Sequence, residues 1–465
     1  MDLKILNENV WSMLFLPLFG CCGISLLFRC RFLPFRRFGV MLRFTILGRD
    51  EQGRGLTPFQ AASTALAATV GTGNIIGTAQ AVAMGGPGAV FWLWTAALLG
   101  MTIKYAEILQ GLRFQNGAMG YISAALGRFP AGVYALLAAV SALTVGNMAQ
   151  MNGAVQALCR VMGHEEMSLR LILGLVLTAM IGLGIRGGAG HVGRLMERLI
   201  PMMTLSYLIL TGAAIFAFRA RLPGVLLRIA LEAFHPRAVL GAAGGIGLRQ
   251  TILWGLRRGS FSNEAGLGTA ANIHAFAESE EPAIHALWGI FEVFADTLVV
   301  CTATALVILC SGVPVPYGAL PGAELLEKAL ALMLGNRAAG IYVALALLLF
   351  GLSTVIGCSV NAKRCAAWLV RERREGPFLF IYLACALLGC LLPMELIWHA
   401  ADFLNVLMAC PNLAALLILA PQTGKEVVDS FFASGLKPFE REWEKPEGNK
   451  KADTLSCPKG ENGVQ

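Results

Sequence analysis

The residues best suited to chemistry lie at 66–78, where the sequence LAATVGTGNIIGT places glycines and hydroxyls inside a long apolar stretch. Glycine tolerates backbone conformations that a Cβ forbids, so Gly71 and Gly73 lower the cost of leaving the α-helix. A helix interrupted at bilayer depth leaves amides and carbonyls without helical partners, and these groups can hold an ion and a charged small molecule. The segment therefore indicates the binding site of a transporter.

Each side of this interruption suits a different ligand. The half-helix that begins near Gly73 would point its first amides and its positive dipole end at a carboxylate. The predicted carboxylate contacts are Gly71, Thr72 and Gly73. Carbonyls of the preceding half suit a hard cation such as sodium. The predicted cation ligands here are Ala67, Val70 and Asn74. The alternative is that Gly73 and Gly77 only allow close helix packing.

A second polar interruption, FSNEAGLG at 261–268, lies within another weakly apolar window. Its backbone carbonyls would receive the ammonium group of a substrate, and its aromatic ring would limit the size of the substrate side chain. The predicted contacts are Phe261, Ser262 and Asn263. A buried carboxylate is costly unless it is paired, so Glu264 is expected to be structural and to pair with Arg258 or Lys104.

A third polar segment, GNMAQMN at 146–152, carries Asn147 and Gln150. Residues three apart share a helix face, so both amides can point into one cavity. An amide recognises the amino and carboxyl groups of a zwitterion without adding net charge. The alternative role of these side chains is hydrogen bonding between helices.

The remaining charged residues at membrane depth are predicted to be structural, with proton carriage as the alternative. Lys104 and Glu107 are three residues apart, as are His399 and Asp402, and such spacing favours a local ion pair. Asp296 lies in the eighth window and is also predicted to be structural.

A bundle of membrane helices must position these segments. Of 465 residues, 56% are hydrophobic and only 14% are charged, with a mean hydropathy of +0.65, whereas roughly a quarter of the residues in soluble domains are charged. A window of about 20 apolar residues marks a candidate transmembrane helix. Eleven windows occur, near 11–28, 58–84, 88–112, 131–157, 171–186, 199–218, 238–275, 284–310, 338–362, 376–393 and 397–420.

The second and seventh windows contain the two interruptions. Counted from the second window, they are the first and sixth of ten, as expected for a five-helix unit repeated with inverted topology. The predicted fold class is an all-α integral membrane protein with about eleven transmembrane helices, a five-plus-five inverted repeat and one extra N-terminal helix. The predicted units are 1–56 (extra helix and Arg-rich loop), 57–220 (first repeat), 221–237 (interfacial amphipathic connection), 238–420 (second repeat) and 421–465 (disordered cytoplasmic tail).

Charge bias sets the expected orientation. The loops near 29–57, 110–130, 186–198, 276–283 and 363–375, together with the tail after 420, hold 24 of the 37 Lys and Arg residues. Because cationic loops face the cytoplasm, we expect the N-terminus outside and the C-terminus inside. The formal charge of +8 then reflects orientation and contact with anionic lipid rather than nucleic acid.

Several other classes are disfavoured. The first apolar span has no clear small-residue cleavage site after it, so we keep it as a helix rather than a signal peptide. The twelve cysteines are scattered without paired CxxC motifs, which disfavours disulfide or zinc roles. No HExxH, GxSxG or dense His/Asp cluster occurs, so enzyme activity is not expected. A channel or an amino-acid sensor remains as an alternative.

Together the segments TVGTGNIIG, GGPGAVFWLW, KYAE, GNMAQMN, FSNEAGLG and ADFLNVLMACPNLAALL resemble the alanine/glycine:cation symporter family, over residues 30 to 435. The resemblance implies a leucine-transporter type of fold. It also implies uptake of alanine or glycine, in some members glutamine, coupled to sodium and sometimes to protons, with no further cofactor. We accordingly expect a monomeric sodium symporter in a prokaryotic cytoplasmic membrane.

The resemblance adds two sodium ligands and two departures. In that fold the helix carrying FGLSTVIG passes the first interruption, so Ser353 and Thr354 would complete the sodium site; the alternative is that both hydroxyls bond to their own helix. The chain reads TAAN at 269–272 and CSVNAK at 358–363, where the family more often has serine, alanine and proline in the first segment and aromatics with a Gly-Glu pair in the second. The first departure would act on the cytoplasmic half of its helix, and the second on gating and substrate preference.

Overall fold

The structure, a computed structural model, describes residues 9–47, 56–164, 166–235, 247–277, 279, 281–370 and 375–432. These residues form helices joined by short connections, and they contain one isolated β-bridge, between Leu56 and Ala277. The main helices are α1 (Trp11–Arg29), α2 (Phe38–Leu47), α3 (Pro58–Thr69), α4 (the π-helical turn Gly73–Gly77 continued by Thr78–Gly85), α5 (Ala89–Arg113), α6 (Gly117–Leu126), α7 (Arg128–Met162), α8 (Met167–Ile185), α9 (Gly188–Ala217), α10 (Leu222–Glu232), α11 (Leu248–Asn263), α12 (Thr269–His274), α13 (Pro282–Ser311), α14 (Glu324–Leu334), α15 (Asn336–Val370), α16 (Glu375–Leu391) and α17 (Met394–Phe431).

Eight helices of the described residues are long and apolar enough to cross a bilayer, namely α1, α5, α7, α8, α9, α13, α15 and α17. The other three predicted windows correspond to the interrupted rods α3–α4 and α11–α12 and to the shorter apolar helix α16. The all-helical membrane architecture is therefore confirmed. The count of eleven spans and the inverted repeat remain predictions.

Three segments differ from the sequence-based expectation. Helices α2 and α6 occupy stretches that were expected to be loops, 29–57 and 110–130. Helix α17 continues to Phe431, past the predicted start of the tail at 421, while 433–465 lie outside the described residues. Helix α10, in contrast, lies where the sequence predicts an amphipathic helix within 221–237. The first residues of the seventh window, 238–246, lie outside the described residues.

The first broken rod begins where its sequence predicts. The Gln60 amide donates to the Thr57 hydroxyl at 3.2 Å and the Gln60 side chain accepts from the Thr57 amide at 3.3 Å, a capping box that satisfies two otherwise unpaired donors. Pro58 occupies the first helical position, where its missing N–H costs nothing. The Leu56 amide donates to Phe276 O at 3.1 Å, so the start of the first rod is tied to the end of the second.

Small residues bring the second broken rod against α5. A Cβ on Gly255 would lie 2.4 Å from Ala89 O, and a Cβ on Gly259 would lie 2.8 Å from the Ala96 Cβ. Glycines four apart present one flat helix face, and close backbone contact is what favours helix association in membranes. This contact places the end of α11 beside the charged residues of α5.

Two glycines of α15 set its position between the first broken rod and α7. A Cβ on Gly357 would lie 3.0 Å from the Ala67 Cβ of α3, and one on Gly351 would lie 3.1 Å from Gln150 O of α7. Thr354 lies between these glycines. The close approach therefore carries the Thr354 hydroxyl to the first interruption.

Candidate functional site

The first interruption separates α3 from α4 at Val70 and Gly71, with Val70 at φ −76° and ψ 89°. The Gly71 amide donates to Asn74 Oδ1, and the Thr72 amide and hydroxyl both donate to Gln150 Oε1, each at 2.9 Å. In a continuous helix these two amides would bond the carbonyls four residues earlier, at 67 and 68. Side-chain amides therefore cap the new helix start and release two carbonyls of α3.

The glycines of this interruption matter because they leave room for neighbouring side chains, and they do not have unusual dihedrals. Neither Gly71 nor Gly73 has a positive φ. A Cβ on Gly71 would lie 2.7 Å from Thr354 Oγ1 and 2.9 Å from Gln150 Oε1, so only glycine fits there. At Gly73 a Cβ would meet the Phe261 ring at 3.7 Å, so its absence leaves room between the two rods.

The second interruption does use left-handed backbone. Helix α11 ends at Asn263 because Glu264 follows with φ 55°, and Gly266 and Gly268 have φ 91° and 74°. Glycine adopts this region without the Cβ penalty that Glu264 bears. The chain thus leaves the helix for five residues before α12 begins at Thr269.

Helix α5 supplies opposite charges to the two ends of this second gap. The Lys104 ammonium donates to Asn263 O, at the end of α11, at 3.0 Å. The Glu107 carboxylate accepts from the Gly266 and Gly268 amides, ahead of α12, at 2.9 and 3.0 Å. A cation at a helix C-terminus and an anion at an N-terminus each oppose the local end of the helix dipole.

A small cavity lies between the two interruptions. Its volume is about 10 Å³. Its lining residues are Ala68, Thr69, Gly73, Val145, Gly146, Gln150, Phe261, Ser262, Glu264 and Thr354. This volume is at the minimum of roughly 10–15 Å³ that one water molecule needs. The walls must therefore separate to admit a larger molecule.

The structure brings only some of the predicted substrate contacts to this cavity. Gly73, Gln150, Phe261 and Ser262 line it, while Gly71 and Thr72 lie behind Gln150.

Asn147 and Asn263 point elsewhere. The Asn147 amide donates to Tyr382 O at 2.8 Å, and Asn263 Oδ1 accepts from the Ala265 amide at 3.0 Å. A π-helical turn at Thr144–Met148 explains the first difference, because a π turn holds more residues than the α turn on which the expected three-residue spacing rested.

Of the predicted cation ligands, Thr354, Val70 and Ala67 lie where α3 meets α15, whereas Ser353 and Asn74 have other partners. The Thr354 hydroxyl donates to Val70 O at 3.3 Å, which joins α15 to the end of α3. The Ser353 hydroxyl instead bonds within its own helix, to Phe350 O at 3.0 Å. Asn74 faces another partner, the Asp296 carboxylate, at 2.6 Å. Ala67 lies buried on the α3 face that packs against α15.

Asp296 connects the two interruptions. One carboxylate oxygen accepts from the Asn74 amide of α4, and the other accepts from the Ser262 hydroxyl of α11 at 2.9 Å and from Thr297 at 2.8 Å. Asp296 is fully buried, as is half of the π-helical segment that carries it, Phe294–Cys301. The sequence analysis treated Asp296 as structural, although an ionisable residue at membrane depth is itself a functional signal.

Glu264 also lies at the cavity, where the sequence analysis expected an ion pair with Arg258 or Lys104. Its carboxylate accepts from the Thr269 hydroxyl at 2.7 Å and lines the space between the rods. The left-handed conformation of Glu264 turns it away from the helical face that carries Arg258. A carboxylate at the cavity can receive an ammonium group.

The predicted short-range pairing of Lys104 with Glu107 is wrong. Lys104 pairs with Glu292 at 3.0 Å, and Glu107 accepts from Asn412 at 2.7 Å in addition to the two glycine amides. Lys104 and Glu107 of α5 face the neighbouring helices α11, α13 and α17, so their partners are distant in sequence. Asp402, predicted to pair with His399, forms ion pairs with Arg257 and Arg258.

The family model of the sodium:alanine symporter family matches residues 2–437. The sodium/alanine symporter AgcS of Methanococcus maripaludis is 34% identical over 89% of this chain and 93% of its own length. The probable sodium/glutamine symporter GlnT of Bacillus subtilis is 34% identical over 90% of this chain and 87% of its own length.

Solved structures support the fold. The crystal structure of MhsT in complex with L-phenylalanine superposes with a TM-score of 0.58 at 14% identity, covering 82% of this chain and 98% of MhsT. A manganese transporter of Eremococcus coleocola gives a TM-score of 0.52 at 15% identity, covering 78% and 76% of the two chains. With two interrupted rods around one cavity and a family match along almost its whole length, the chain belongs to the sodium:alanine symporter family and is a multi-pass membrane transporter, not an enzyme.

Proposed function

We propose that the chain couples a sodium gradient to the uptake of a small neutral amino acid, alanine or glycine, by alternating access. One observation carries the proposal: two helices are interrupted at the same cavity, and the groups that they present there are of opposite kinds. Amides begin α4 at the first gap, and the Glu264 carboxylate stands at the second. A zwitterion needs both kinds of partner.

The substrate carboxylate takes the position that Gln150 Oε1 occupies on the Thr72 amide and hydroxyl. Both contacts to Gln150 are 2.9 Å, and both are hydrogen bonds that a carboxylate oxygen accepts more strongly than an amide oxygen does. Its ammonium group lies toward Glu264 and Ser262. Gln150 then swings aside when the substrate arrives and returns when it leaves.

Cavity size favours alanine or glycine over glutamine. A Cβ on Gly73 would already touch the Phe261 ring at 3.7 Å, and Trp398 supports that ring with its centroid 5.2 Å away. The cavity has room for about one water molecule, so the smallest amino acids require the least separation of its walls. A relative named for glutamine keeps the larger substrate as the alternative.

Sodium binds where α15 meets the end of α3. Val70 O and Thr354 Oγ1 are 3.3 Å apart and are oxygens of the type that a hard cation prefers. The carbonyl of Ala67 joins them because its helical donor, the Gly71 amide, bonds Asn74. An ion there stabilises the same interruption that holds the substrate carboxylate, which couples the two ligands.

Reconstituted liposomes test this proposal. With sodium outside and choline inside, alanine is expected to accumulate above its external concentration, with competition by glycine and serine and weak competition by glutamine. Replacing outside sodium with choline should abolish the accumulation, and an imposed pH gradient alone should not restore it. Flux that only equalises alanine would identify a channel, and the absence of flux would identify a sensor.

The same proposal places the chain as a monomer in the lipid of a prokaryotic cytoplasmic membrane, with its N-terminus outside. Helix α1 is followed by an arginine-rich segment, Arg29 to Arg54, and such segments favour the cytoplasmic side of the membrane. A fluorescent protein fused after residue 465 should therefore fluoresce. A dark fusion, with an N-terminal fusion that fluoresces, would reverse the orientation.

A further inference from the structure

Two arginines share one carboxylate directly beside the cavity. Arg257 and Arg258 follow one another in α11, and both pair with Asp402 of α17, Arg258 at 3.4 Å. All three side chains are almost fully buried, with 2–4% of each exposed. We call these three residues, with Trp254 and Trp11, the arginine layer. Its formal charge is one positive unit in excess.

Aromatic rings enclose both guanidinium groups. Arg257 lies over the rings of Trp11 and Trp254, with its guanidinium carbon 5.3 and 5.0 Å from the two centroids. Arg258 lies over Trp254 and Trp398 at 5.2 and 5.0 Å. Ring faces attract a cation, but they accept no conventional hydrogen bond from its N–H groups.

Donors in this layer exceed their acceptors. Arg257 Nε, Arg258 Nε and Trp254 Nε1 are buried and have no hydrogen-bond partner among the described residues. Each unmatched buried donor costs about 1–3 kcal/mol. A small anion would neutralise the excess positive charge and would also accept hydrogen bonds from the unmatched N–H groups.

The layer lies next to the cavity. Phe261 lines the cavity and lies one turn beyond Arg257. Trp398 packs against the Phe261 ring with the two ring planes tilted by 30°, and Arg258 covers both rings. The Asp402 pairs join α11 to α17 on this side of the cavity, so entry of a solute from this side would require the two helices to separate. Opening this side exposes the arginines to the passing solute.

We propose that the arginine layer binds a small monovalent anion when α11 and α17 separate. The source is either the carboxylate of the incoming amino acid, in which case the layer is a first docking point before the cavity, or an inorganic anion of the medium. The inference rests on the proposed function only in taking the cavity as the destination of an amino acid. The anion site itself is a property of the arginines.

A fluorescence titration tests the site without transport. Purified full-length protein in sodium gluconate would be titrated with sodium chloride and with sodium acetate at constant ionic strength, with tryptophan emission as the readout. We expect a saturable change in the wild type, and a dissociation constant at least about tenfold higher in Arg257→Gln, because a hydrogen bond to a charged group is lost. Arg249→Gln is the matched control, since Arg249 is exposed and bonds Ser12 at 3.3 Å.

Trp254→Phe keeps the ring face and removes one unmatched donor. It should weaken the anion by about threefold, as the loss of one neutral hydrogen bond does, and it covers the case in which Arg257→Gln does not fold. No saturable change in the wild type, or equal dissociation constants in the wild type and in both layer variants, would overturn the proposal.

Alanine added to the same titration separates the two sources. If alanine displaces acetate in the wild type and also in Gly73→Leu, whose cavity is filled, the layer takes the substrate carboxylate. If alanine displaces nothing while chloride binds, the occupant is an anion of the medium. Loss of alanine uptake with intact anion binding would count against the proposed function alone, whereas intact uptake without anion binding would count against this site alone.

Discussion

The two interrupted rods reach the same cavity by opposite physical means. At the first, neutral side-chain amides from Asn74 and Gln150 cap the helix start and a hydroxyl from Thr354 meets the released end. At the second, the charges of Lys104 and Glu107 hold the two ends. Hydrogen bonds to charged groups contribute about 1.5–3 kcal/mol and neutral ones about 0.5–1.5 kcal/mol.

The backbone differs in the same sense. The first gap has ordinary dihedrals and depends on missing Cβ atoms, whereas the second has left-handed residues at Glu264, Gly266 and Gly268. The comparison teaches that the first gap can exchange its caps for ligands at low cost, while the second is a fixed frame. Ligand binding should therefore rearrange the first gap and leave the conformation of the second unchanged. Mutations in the second gap should lower the stability of the protein as well as its transport activity.

Filling the first gap should have the largest effect on transport. Gly73→Leu places a side chain against the Phe261 ring, where even a Cβ lies at 3.7 Å, so alanine uptake is expected to fall to background. The protein should still insert and purify as a single species. Gly20→Leu adds the same side chain where no heavy atom lies within 4 Å and should keep full uptake. Normal uptake by Gly73→Leu would remove the first gap from the site.

Cutting the link between the gaps comes next. Asp296→Asn removes the charge that accepts from Asn74 and Ser262, and the new amide group faces donors. Initial rates of alanine uptake should fall at least about tenfold, corresponding to one hydrogen bond to a charged group. Asp429→Asn, on an exposed face of α17, is the control. An unchanged rate in Asp296→Asn would mean that the two gaps work independently.

Neighbouring hydroxyls of α15 separate the sodium role from helix packing. Thr354→Ala removes the oxygen that meets Val70 O, so the sodium concentration for half-maximal uptake should rise about tenfold, while Thr354→Ser should stay near wild type. Ser353→Ala removes a hydroxyl bonded within its own helix and should change this value less than about twofold. A larger shift in Ser353→Ala than in Thr354→Ala would move the ion to the other side of α15.

Adding a Cβ to a left-handed glycine tests the fixed frame and should have the smallest effect on transport. Gly266→Ala puts a Cβ at φ 91° and 3.1 Å from Leu413, which should lower stability by about 1–2 kcal/mol, read as a lower melting temperature. Gly127→Ala bears the same strain at φ 96° with no heavy atom within 4 Å. Uptake per folded molecule should fall only for Gly266→Ala. Equal melting temperatures in Gly266→Ala and the wild type would show that the second gap is not a rigid frame.

Local sequence patterns predicted what depends on near neighbours. The interruption at Gly71 follows from a few adjacent residues and is present in the structure. The resemblance also indicated Thr354, which meets Val70 O. The reason given for Gly71 was incomplete, because its need for space becomes visible only when α15 and α7 pack against it.

Long-range partners were beyond local reasoning. Lys104 pairs with Glu292, and Asp296 reaches Asn74, because helices far apart in sequence pack side by side. The π-helical turn at Thr144–Met148 changed which residues share a face, so Gln150 reached the cavity and Asn147 did not. Whether a helix contains such a π-helical turn depends on tertiary packing, which local sequence patterns do not show.

Equilibrium binding of labelled alanine to the purified protein, measured at rising sodium concentration, tests the central claim most directly. If sodium and the amino acid share the first gap, the affinity for alanine must rise with sodium, and the affinity for sodium must rise by the same factor with alanine. Gly73→Leu should bind no alanine at any sodium concentration. Alanine binding that is independent of sodium, or that survives in Gly73→Leu, would contradict the account.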